Sequence, residues 1–280
     1  MARKKTPAAA LRERGYLHGY SSAERARLRR QALVLEPMVH DHLPFHRRRR
    51  CIEIGSGVGA QTEILLRHFP GLHVTCVERS PTQIGEARKF LRTVPWAKGR
   101  YELAEADATR LPFERERFDA GFLCWILEHV ADPARILSEL RRVLVAGSPV
   151  VINEVLNATF FIDPYSPKTL QYWMAFNDHQ LELGGDPFVG AKLGNLLQQV
   201  GYHDVQTFVK TFHLDNRSPG ERAEFLSYWT ELLLSGAPQL LAAKKVSDDV
   251  VEGMKTELDR VARDANSVFF YSFIQARARA

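Results

Sequence analysis

Five short apolar runs, separated largely by helical patterns, dominate residues 51–156. The runs are RCIEIG, HVTCVE, YELAEAD, FDAGFLCW and SPVVINEVL. Their apolar residues follow one another instead of alternating with polar ones, which is typical of strands covered on both faces of a parallel sheet. Because parallel strands are joined by right-handed crossovers, the pattern predicts a doubly wound α/β sheet. Ligands of such sheets bind at the carboxyl ends of the strands.

Beyond residue 156 the alternation of strand and helix patterns is interrupted and then resumes. Residues 157–186 mix aromatic and polar side chains, and the following stretch reads as a helix that ends at Gly201. DVQTFVKTFHL predicts a sixth strand, residues 219–265 predict helices, and SVFFYSFIQAR predicts a final strand. At the other end, residues 1–20 lack periodicity, and a helical pattern starts at Ser22. We therefore expect a flexible segment over 1–20 and a single domain over 21–280.

Charge and cysteine content narrow the class of protein. The formal net charge is +5 and the pI about 9.1, and the run HRRRR at 46–50 fits a solvated face or, alternatively, an anion-binding patch. Three cysteines lie in apolar runs with no metal or disulfide spacing. The basic N-terminus lacks the apolar core of a signal peptide, and no apolar stretch approaches a membrane span. We expect a soluble, cytoplasmic protein without a metal.

A glycine-rich turn follows the first run. Gly55, Gly57 and Ala60 satisfy the dinucleotide fingerprint G-x-G-x-x-G/A. Glu78 ends the second run, where a carboxylate can accept two ribose hydroxyls. These features alone leave a nicotinamide cofactor open. Glu53, two residues before the first glycine, would repel a pyrophosphate and could receive a cationic or amino-bearing ligand.

Several motifs in order resemble those of class I S-adenosylmethionine-dependent methyltransferases of the small-molecule type. They are Glu53-x-Gly55-x-Gly57-x-Gly59, Glu78, Asp107, LPF at 111–113, FDAGFLCWILEHV at 118–130 and ELRRVL. The resemblance covers residues 51–156 closely and the C-terminal order of elements loosely. It implies S-adenosyl-L-methionine as the cofactor. It also implies a mostly parallel seven-stranded sheet with an antiparallel last strand and a helical lid.

The resemblance further implies the residues of the cofactor site. The glycines would let the backbone approach the methionine part, Glu78 would bind the ribose, and Asp107 with Ala108 would bind the adenine. The whole expected set is Glu53, Gly55, Ser56, Gly57, Gly59, Glu78, Arg79, Gln83, Asp107, Ala108 and Cys124.

Methyl transfer depends mainly on positioning, so a general base adds a smaller contribution. His129 follows the fourth strand and is the first candidate base, although it can equally line the cofactor site. Glu154 near the end of the fifth strand can bind or deprotonate an amine, or be a buried structural carboxylate. His179 can be a base or a surface histidine.

The substrate needs a cap that the sheet does not supply. We expect it from residues 16–45, 157–190 and 215–265, where aromatic and polar residues suit a small ligand with an apolar body. The expected substrate residues are Tyr16, Tyr20, Asn157, Tyr172, Trp173 and Asn177. The aromatics can alternatively be the lid's own core.

The sequence therefore predicts a methyltransferase that modifies an N or O atom of a small molecule, and we expect this molecule to belong to specialised metabolism. No Asn/Asp-Pro-Pro-aromatic motif follows the fourth strand, and no aspartate cluster suits Mg²⁺. Both absences argue against a nucleic-acid amino methylase and a catechol-type enzyme. Two alternatives remain. The basic N-terminus favours an RNA or protein substrate, and a cofactor-binding module without transfer activity is also compatible.

Overall fold

The computed structural model describes residues 22–280. Eight strands form one sheet within this part of the chain: β1 (Arg50–Ile54), β2 (His73–Glu78), β3 (Tyr101–Glu105), β4 (Ala120–Cys124), β5 (Pro149–Val155), β6 (Phe161–Asp163), β7 (His203–Leu214) and β8 (Val268–Arg279). The α-helices of the same part are α1 (Ser22–Val39), α2 (Ala60–His68), α3 (Pro81–Arg92), α4 (Pro133–Val143), α5 (Pro167–Glu182), α6 (Leu193–Val200), α7 (Pro219–Ala242) and α8 (Asp248–Arg263).

The strand order is β3-β2-β1-β4-β5-β8-β6, and β7 also pairs with β8. Strands β1 to β5 are parallel, while β8 runs antiparallel to β5, β6 and β7. The predicted doubly wound, mostly parallel fold with an antiparallel last strand is confirmed. The sheet has one strand more than the seven expected, because Phe161–Asp163 pairs with β8 inside the segment expected to cap the substrate.

Local signals in the sequence set the starts of two crossover helices. The Ser80 hydroxyl accepts a hydrogen bond from the Gln83 amide at 3.4 Å, and Pro81 is the first residue of α3. Asp132 caps α4 in the same way, accepting from the Arg135 amide at 2.9 Å. Each cap satisfies an amide that the first helical turn leaves without an intrahelical partner.

Alternate residues of the central strands enter two separate apolar clusters. Cys51 and Phe122 belong to the cluster on one face of the sheet, and Ile52 and Leu123 to the cluster on the other. Helices α4 and α6 contribute to the second cluster. The sheet is therefore covered on both faces, as its continuous apolar strands predict.

Helices α2 and α3 pack on the other face of the sheet, whereas α1, α5, α7 and α8 form a layer beside the carboxyl ends of the strands. Helix α7 packs on α1, α5 and α8, and α5 packs on α8. No helix in residues 22–280 combines the length and apolarity needed to cross a membrane. Within the same residues, no cluster of three or more His, Cys, Asp or Glu side chains could hold a metal ion.

Candidate functional site

A cavity of about 530 Å³ lies at the carboxyl ends of β1 to β5. One half is built from the loops that follow β1, β2 and β3. The other half is walled by aromatic residues of the helical layer and of β7 and β8. The expected site residues that line it are Gly55, Ser56, Gly57, Glu78, Arg79, Gln83, Asp107, Ala108, Cys124, His129, Asn157 and Trp173.

The glycine turn joins β1 to α2 and is fastened to β2. The amides of Gly55 and Ser56 both donate to the carbonyl oxygen of Val77, at 2.8 and 3.1 Å. Gly55 has a φ of +71°, and a Cβ there would lie 2.5 Å from Cδ1 of Ile126. Gly57 has a φ of +51° with no atom near the position of a Cβ. A side chain at position 55 would clash with Ile126, so packing requires glycine there. The position of a Cβ on Gly57 is open space beside the cavity.

Gly59 is expected in the cofactor site but does not line the cavity. It is the residue before α2, and a Cβ there would lie 3.1 Å from Leu91 of α3. Its φ of +77° and its closeness to Leu91 both favour glycine there, and its role in cofactor binding stays a prediction.

Glu78 connects the second strand to the glycine turn. One carboxylate oxygen accepts from the Gly57 amide at 3.1 Å, and the other accepts from the Ser80 amide at 2.8 Å. Each carboxylate oxygen can accept a further bond, so the group remains able to receive hydroxyl donors from a ligand.

The loop after β3 is shaped by Asp107. Its side chain accepts from both the amide and the hydroxyl of Thr109, at 2.9 and 2.7 Å.

Two polar atoms beside this loop and the glycine turn have no hydrogen-bond partner among residues 22–280: Ser56 Oγ and Gln83 Oε1. Both residues are buried and line the cavity. Both atoms can therefore hydrogen bond to a polar ligand in the cavity.

Glu53 does not line the cavity, contrary to expectation. Its carboxyl group is buried under α2 and accepts a hydrogen bond from the Thr62 hydroxyl at 2.5 Å. Burial, reinforced by the charge of Glu78, raises the pKa of Glu53 to about 8. The hydrogen bond to Thr62 therefore ties Glu53 of β1 to α2, and burial favours the protonated carboxyl group.

His129 lies in the short 3₁₀ turn Leu127–His129 after β4 and lines the cavity. Its Nε2 is 3.6 Å from a carboxylate oxygen of Glu128. Burial lowers the pKa of His129, although the Glu128 charge opposes this. The imidazole is therefore neutral at pH 7 and can accept a proton.

Glu154 and His179, the other two expected catalytic residues, do not line the cavity. The Glu154 carboxylate accepts from the amides of Ile126, Leu127 and Glu128, at 3.0, 2.7 and 3.3 Å. Burial and the charge of Glu128 raise the pKa of Glu154. The group therefore holds the turn that carries His129 in place, because it accepts amides that would otherwise be buried without partners.

His179 lies within α5 and is neither at the surface nor at the cavity. It is 9% exposed, which contradicts the surface interpretation. Its Nδ1 is 3.6 Å from a carboxylate oxygen of Glu182 on the next turn. The helix directs it towards Glu182 and away from the expected site.

The expected substrate residues divide into two groups. Asn157 and Trp173 line the cavity, and the Asn157 oxygen accepts from Tyr271 at 2.9 Å. Asn177 Oδ1 accepts a hydrogen bond from the side-chain amide of Asn157 at 2.7 Å. Asn177 does not line the cavity, so it helps to fix the orientation of Asn157. Tyr172 donates to a carbonyl oxygen within α7 and is part of the core. Tyr16 and Tyr20 lie outside the described residues.

Several lining residues carry no motif and were missed. They are Arg27 and Gln31 of α1, Phe212 of β7, Phe225, Tyr228 and Trp229 of α7, and Tyr271 and Phe273 of β8. The aromatic run of α7 in EFLSYW is the one signal that could have drawn attention, since its segment was expected to cap the substrate.

Arg27 forms two hydrogen bonds with Glu24, at 2.6 and 2.7 Å, so the positive charge in the cavity is compensated.

A family model described as methyltransferase domain matches residues 52–152. This stretch runs from β1 to β5 and includes the glycine turn, Glu78, Asp107 and His129. The match therefore covers the half of the cavity that is built from the loops after β1, β2 and β3, and it leaves the helical layer outside.

Two curated relatives match a similar stretch. The chain is 26% identical over 132 residues to 2-methyl-6-phytyl-1,4-hydroquinone methyltransferase 1, chloroplastic, of Oryza sativa subsp. japonica, covering 47% of this chain and 38% of that protein. It is 33% identical over 105 residues to demethylmenaquinone methyltransferase of Clavibacter sepedonicus, covering 38% of this chain and 40% of that protein. The chain thus spans less than half the length of these relatives.

Among solved structures, the chain resembles phosphoethanolamine N-methyltransferase 2 of Haemonchus contortus in complex with phosphomonomethylethanolamine and S-adenosylhomocysteine. The TM-score is 0.54 at 21% identity, covering 89% of this chain and 52% of that chain. At this identity the similarity concerns the fold, and it extends over the helical layer as well as the sheet.

Proposed function

We propose that the chain is a class I S-adenosylmethionine-dependent methyltransferase and that it methylates an N or O atom of a small molecule. The match of residues 52–152 to a methyltransferase-domain family model supports the first part of the proposal. The observation that carries the proposal is a single cavity with two chemically different halves. One half offers polar groups around the glycine turn, and the other offers aromatic walls. A donor and an acceptor molecule can meet inside such a cavity.

The residues of the polar half fit S-adenosylmethionine. Glu78 would accept the ribose hydroxyls, Asp107 and Ala108 would hold the adenine, and the backbone at Gly55 and Gly57 would hold the methionine part. Ser56 and Gln83 supply the polar atoms that otherwise lack partners. When bound, the cofactor supplies a methyl group activated by the positive charge on its sulfur.

Positioning of the acceptor accounts for most of the proposed catalysis. Holding two reactants in line can lower a barrier by about 7–11 kcal/mol, whereas a general base adds typically about 10²–10⁴-fold. His129 is the residue that we propose as the base, because its neutral imidazole lines the cavity. Glu154 acts through the turn that it holds and is a positioning residue.

The position of the basic run favours a small molecule over RNA. Arg50 starts β1, while the cavity lies beyond Ile54 at the other end of that strand. The run 46–50 therefore lies at the opposite edge of the sheet from the proposed site. The aromatic walls on the acceptor side also suit a small apolar body better than a charged polymer.

A transfer assay tests the proposal. The protein is incubated with methyl-labelled S-adenosylmethionine and separate panels of small phenols and amines, total RNA, and a mixture of unfolded proteins. We expect label in a phenol or amine and its loss in the variant Glu78→Ala. Label in RNA or protein alone would contradict the small-molecule proposal. Binding of S-adenosylhomocysteine without transfer to any panel would support the binding-module alternative.

A further inference from the structure

Tyr228 stands out among the residues that wall the aromatic half of the cavity. It lies in α7 between the lining residues Phe225 and Trp229, and it is 2% exposed. Its ring meets that of Phe225 edge to face, with 5.5 Å between the centroids. The ring is thus held by packing and cannot turn its hydroxyl towards bulk solvent.

The hydroxyl of Tyr228 has no hydrogen-bond partner among residues 22–280, although three other buried tyrosines are all bonded. Tyr172 donates to Leu233 O at 2.5 Å, Tyr202 to Leu137 O at 2.9 Å, and Tyr271 to Asn157 Oδ1 at 2.9 Å. The Tyr228 oxygen keeps some accessible surface, since it is not one of the fully buried polar atoms that lack a partner. Its accessible surface therefore opens onto the cavity that the residue lines.

The surroundings keep this hydroxyl protonated. Burial raises the pKa of Tyr228, and the charge of Arg27 opposes the shift less strongly than burial promotes it. The carboxylates of Glu128 and Glu24 raise the pKa further. The group can therefore donate one hydrogen bond and accept another at neutral pH.

We propose that Tyr228 determines substrate specificity by hydrogen bonding to a polar oxygen of a flat, neutral, otherwise apolar substrate. The inference rests on the proposed function, because it assigns the acceptor to the aromatic half of the same cavity. Eight aromatic residues meet there: Trp125, Trp173, Phe176, Phe212, Phe225, Trp229, Tyr271 and Phe273. Such walls bind a planar body by stacking and by removing apolar surface from water.

Charge considerations favour a neutral molecule. With S-adenosylmethionine bound, its sulfonium would repel a cation, and Glu128, which lines the cavity, would repel an anion. Arg27 is already compensated by Glu24. A hydroxyl or carbonyl oxygen on the ring is then the group that Tyr228 can recognise.

Equilibrium dialysis with two probes of nearly equal shape tests the assignment. We compare 2-naphthol and naphthalene binding to the full chain, in the presence of S-adenosylhomocysteine, for wild type, Tyr228→Phe and Tyr172→Phe. One hydrogen bond corresponds to a preference of about three- to tenfold. We expect the ratio of the naphthalene to the 2-naphthol dissociation constant to fall by this factor in Tyr228→Phe. The ratio should stay unchanged in Tyr172→Phe.

Thermal melting supplies a second readout. Removing the Tyr228 oxygen breaks no bond within the described residues, so Tyr228→Phe should melt like wild type. Tyr172→Phe leaves Leu233 O without its donor and should melt at a lower temperature. An unchanged probe ratio in Tyr228→Phe, or destabilisation as large as in Tyr172→Phe, would overturn the assignment.

The outcomes also separate this inference from the proposed function. If S-adenosylhomocysteine binds and the probe ratio does not change, the role of Tyr228 is wrong and the function stands. If the ratio falls but neither S-adenosylhomocysteine nor S-adenosylmethionine binds, Tyr228 recognises a ligand and the proposed function is wrong.

Discussion

Replacing Glu53 by glutamine should remove a large part of the pH dependence of stability. The carboxyl group of Glu53 is 2% exposed and hydrogen bonded to Thr62. Burial raises its pKa from 4.5 to about 8, although the Thr62 hydrogen bond opposes the shift. At pH 7 the group is therefore mostly protonated in the folded protein and ionised in the unfolded chain.

The magnitude follows from the difference between the two pKa values. A group whose pKa is higher in the folded protein than in the unfolded chain stabilises the fold fully below its unfolded pKa. This stabilisation is lost as the pH rises through its folded pKa. Between pH 4.5 and about 8, Glu53 should cost the wild type about 1.4 kcal/mol of unfolding free energy per pH unit. Glutamine does not ionise, so Glu53→Gln lacks this loss, and the other titrating groups cancel in the comparison.

Urea unfolding at pH 5.5, 6.5 and 7.5, followed by tryptophan fluorescence, measures the effect. The stability of Glu53→Gln minus that of wild type should grow by roughly 2–3 kcal/mol from the lowest to the highest pH. Glu114→Gln, a change at an exposed glutamate, should leave the wild-type slope unchanged. Parallel curves for wild type and Glu53→Gln would show that Glu53 is ionised in the folded protein and refute the reasoning.

Three further predictions concern the cavity. Gly55→Ala should lower the melting temperature more than Gly57→Ala, because only the first Cβ meets Ile126; equal melting temperatures would contradict the packing role. Asp107→Ala should weaken S-adenosylhomocysteine binding by about 1–3 kcal/mol in calorimetry, and unchanged affinity in a folded variant would show that the adenine site is misplaced. His129→Ala should reduce turnover by about 10²-fold or more while cofactor binding persists, and full activity would remove His129 from the role of base.

Much of the sheet could be predicted because its signals are local. Apolar runs mark β1, β2, β4 and β5, and the Ser80-Pro81 and Asp132-Pro133 pairs mark helix starts. Strand β6 was missed because its three residues carry no pattern of their own. It exists through pairing with β8, which lies more than a hundred residues later.

The residues that line the cavity at the glycine turn follow consecutive strands, so the sequence could group them, and their role in cofactor binding stays a prediction. Glu53 and Glu154 lie in the expected strands, but their carboxyl groups bond to Thr62 and to backbone amides and do not line the cavity. Whether a carboxylate faces a ligand or a buried amide depends on packing that spacing does not encode. Tyr228 was missed because only the packing of α7 over the strand ends brings it to the site.

Calorimetric titration of the purified protein with S-adenosylmethionine, S-adenosylhomocysteine and NAD⁺, side by side, tests the central claim most directly. The two sulfur compounds should bind with one site per chain, and NAD⁺ should produce no binding heat. Binding of NAD⁺ alone would contradict the assignment and make Glu78 a ribose ligand of a dinucleotide.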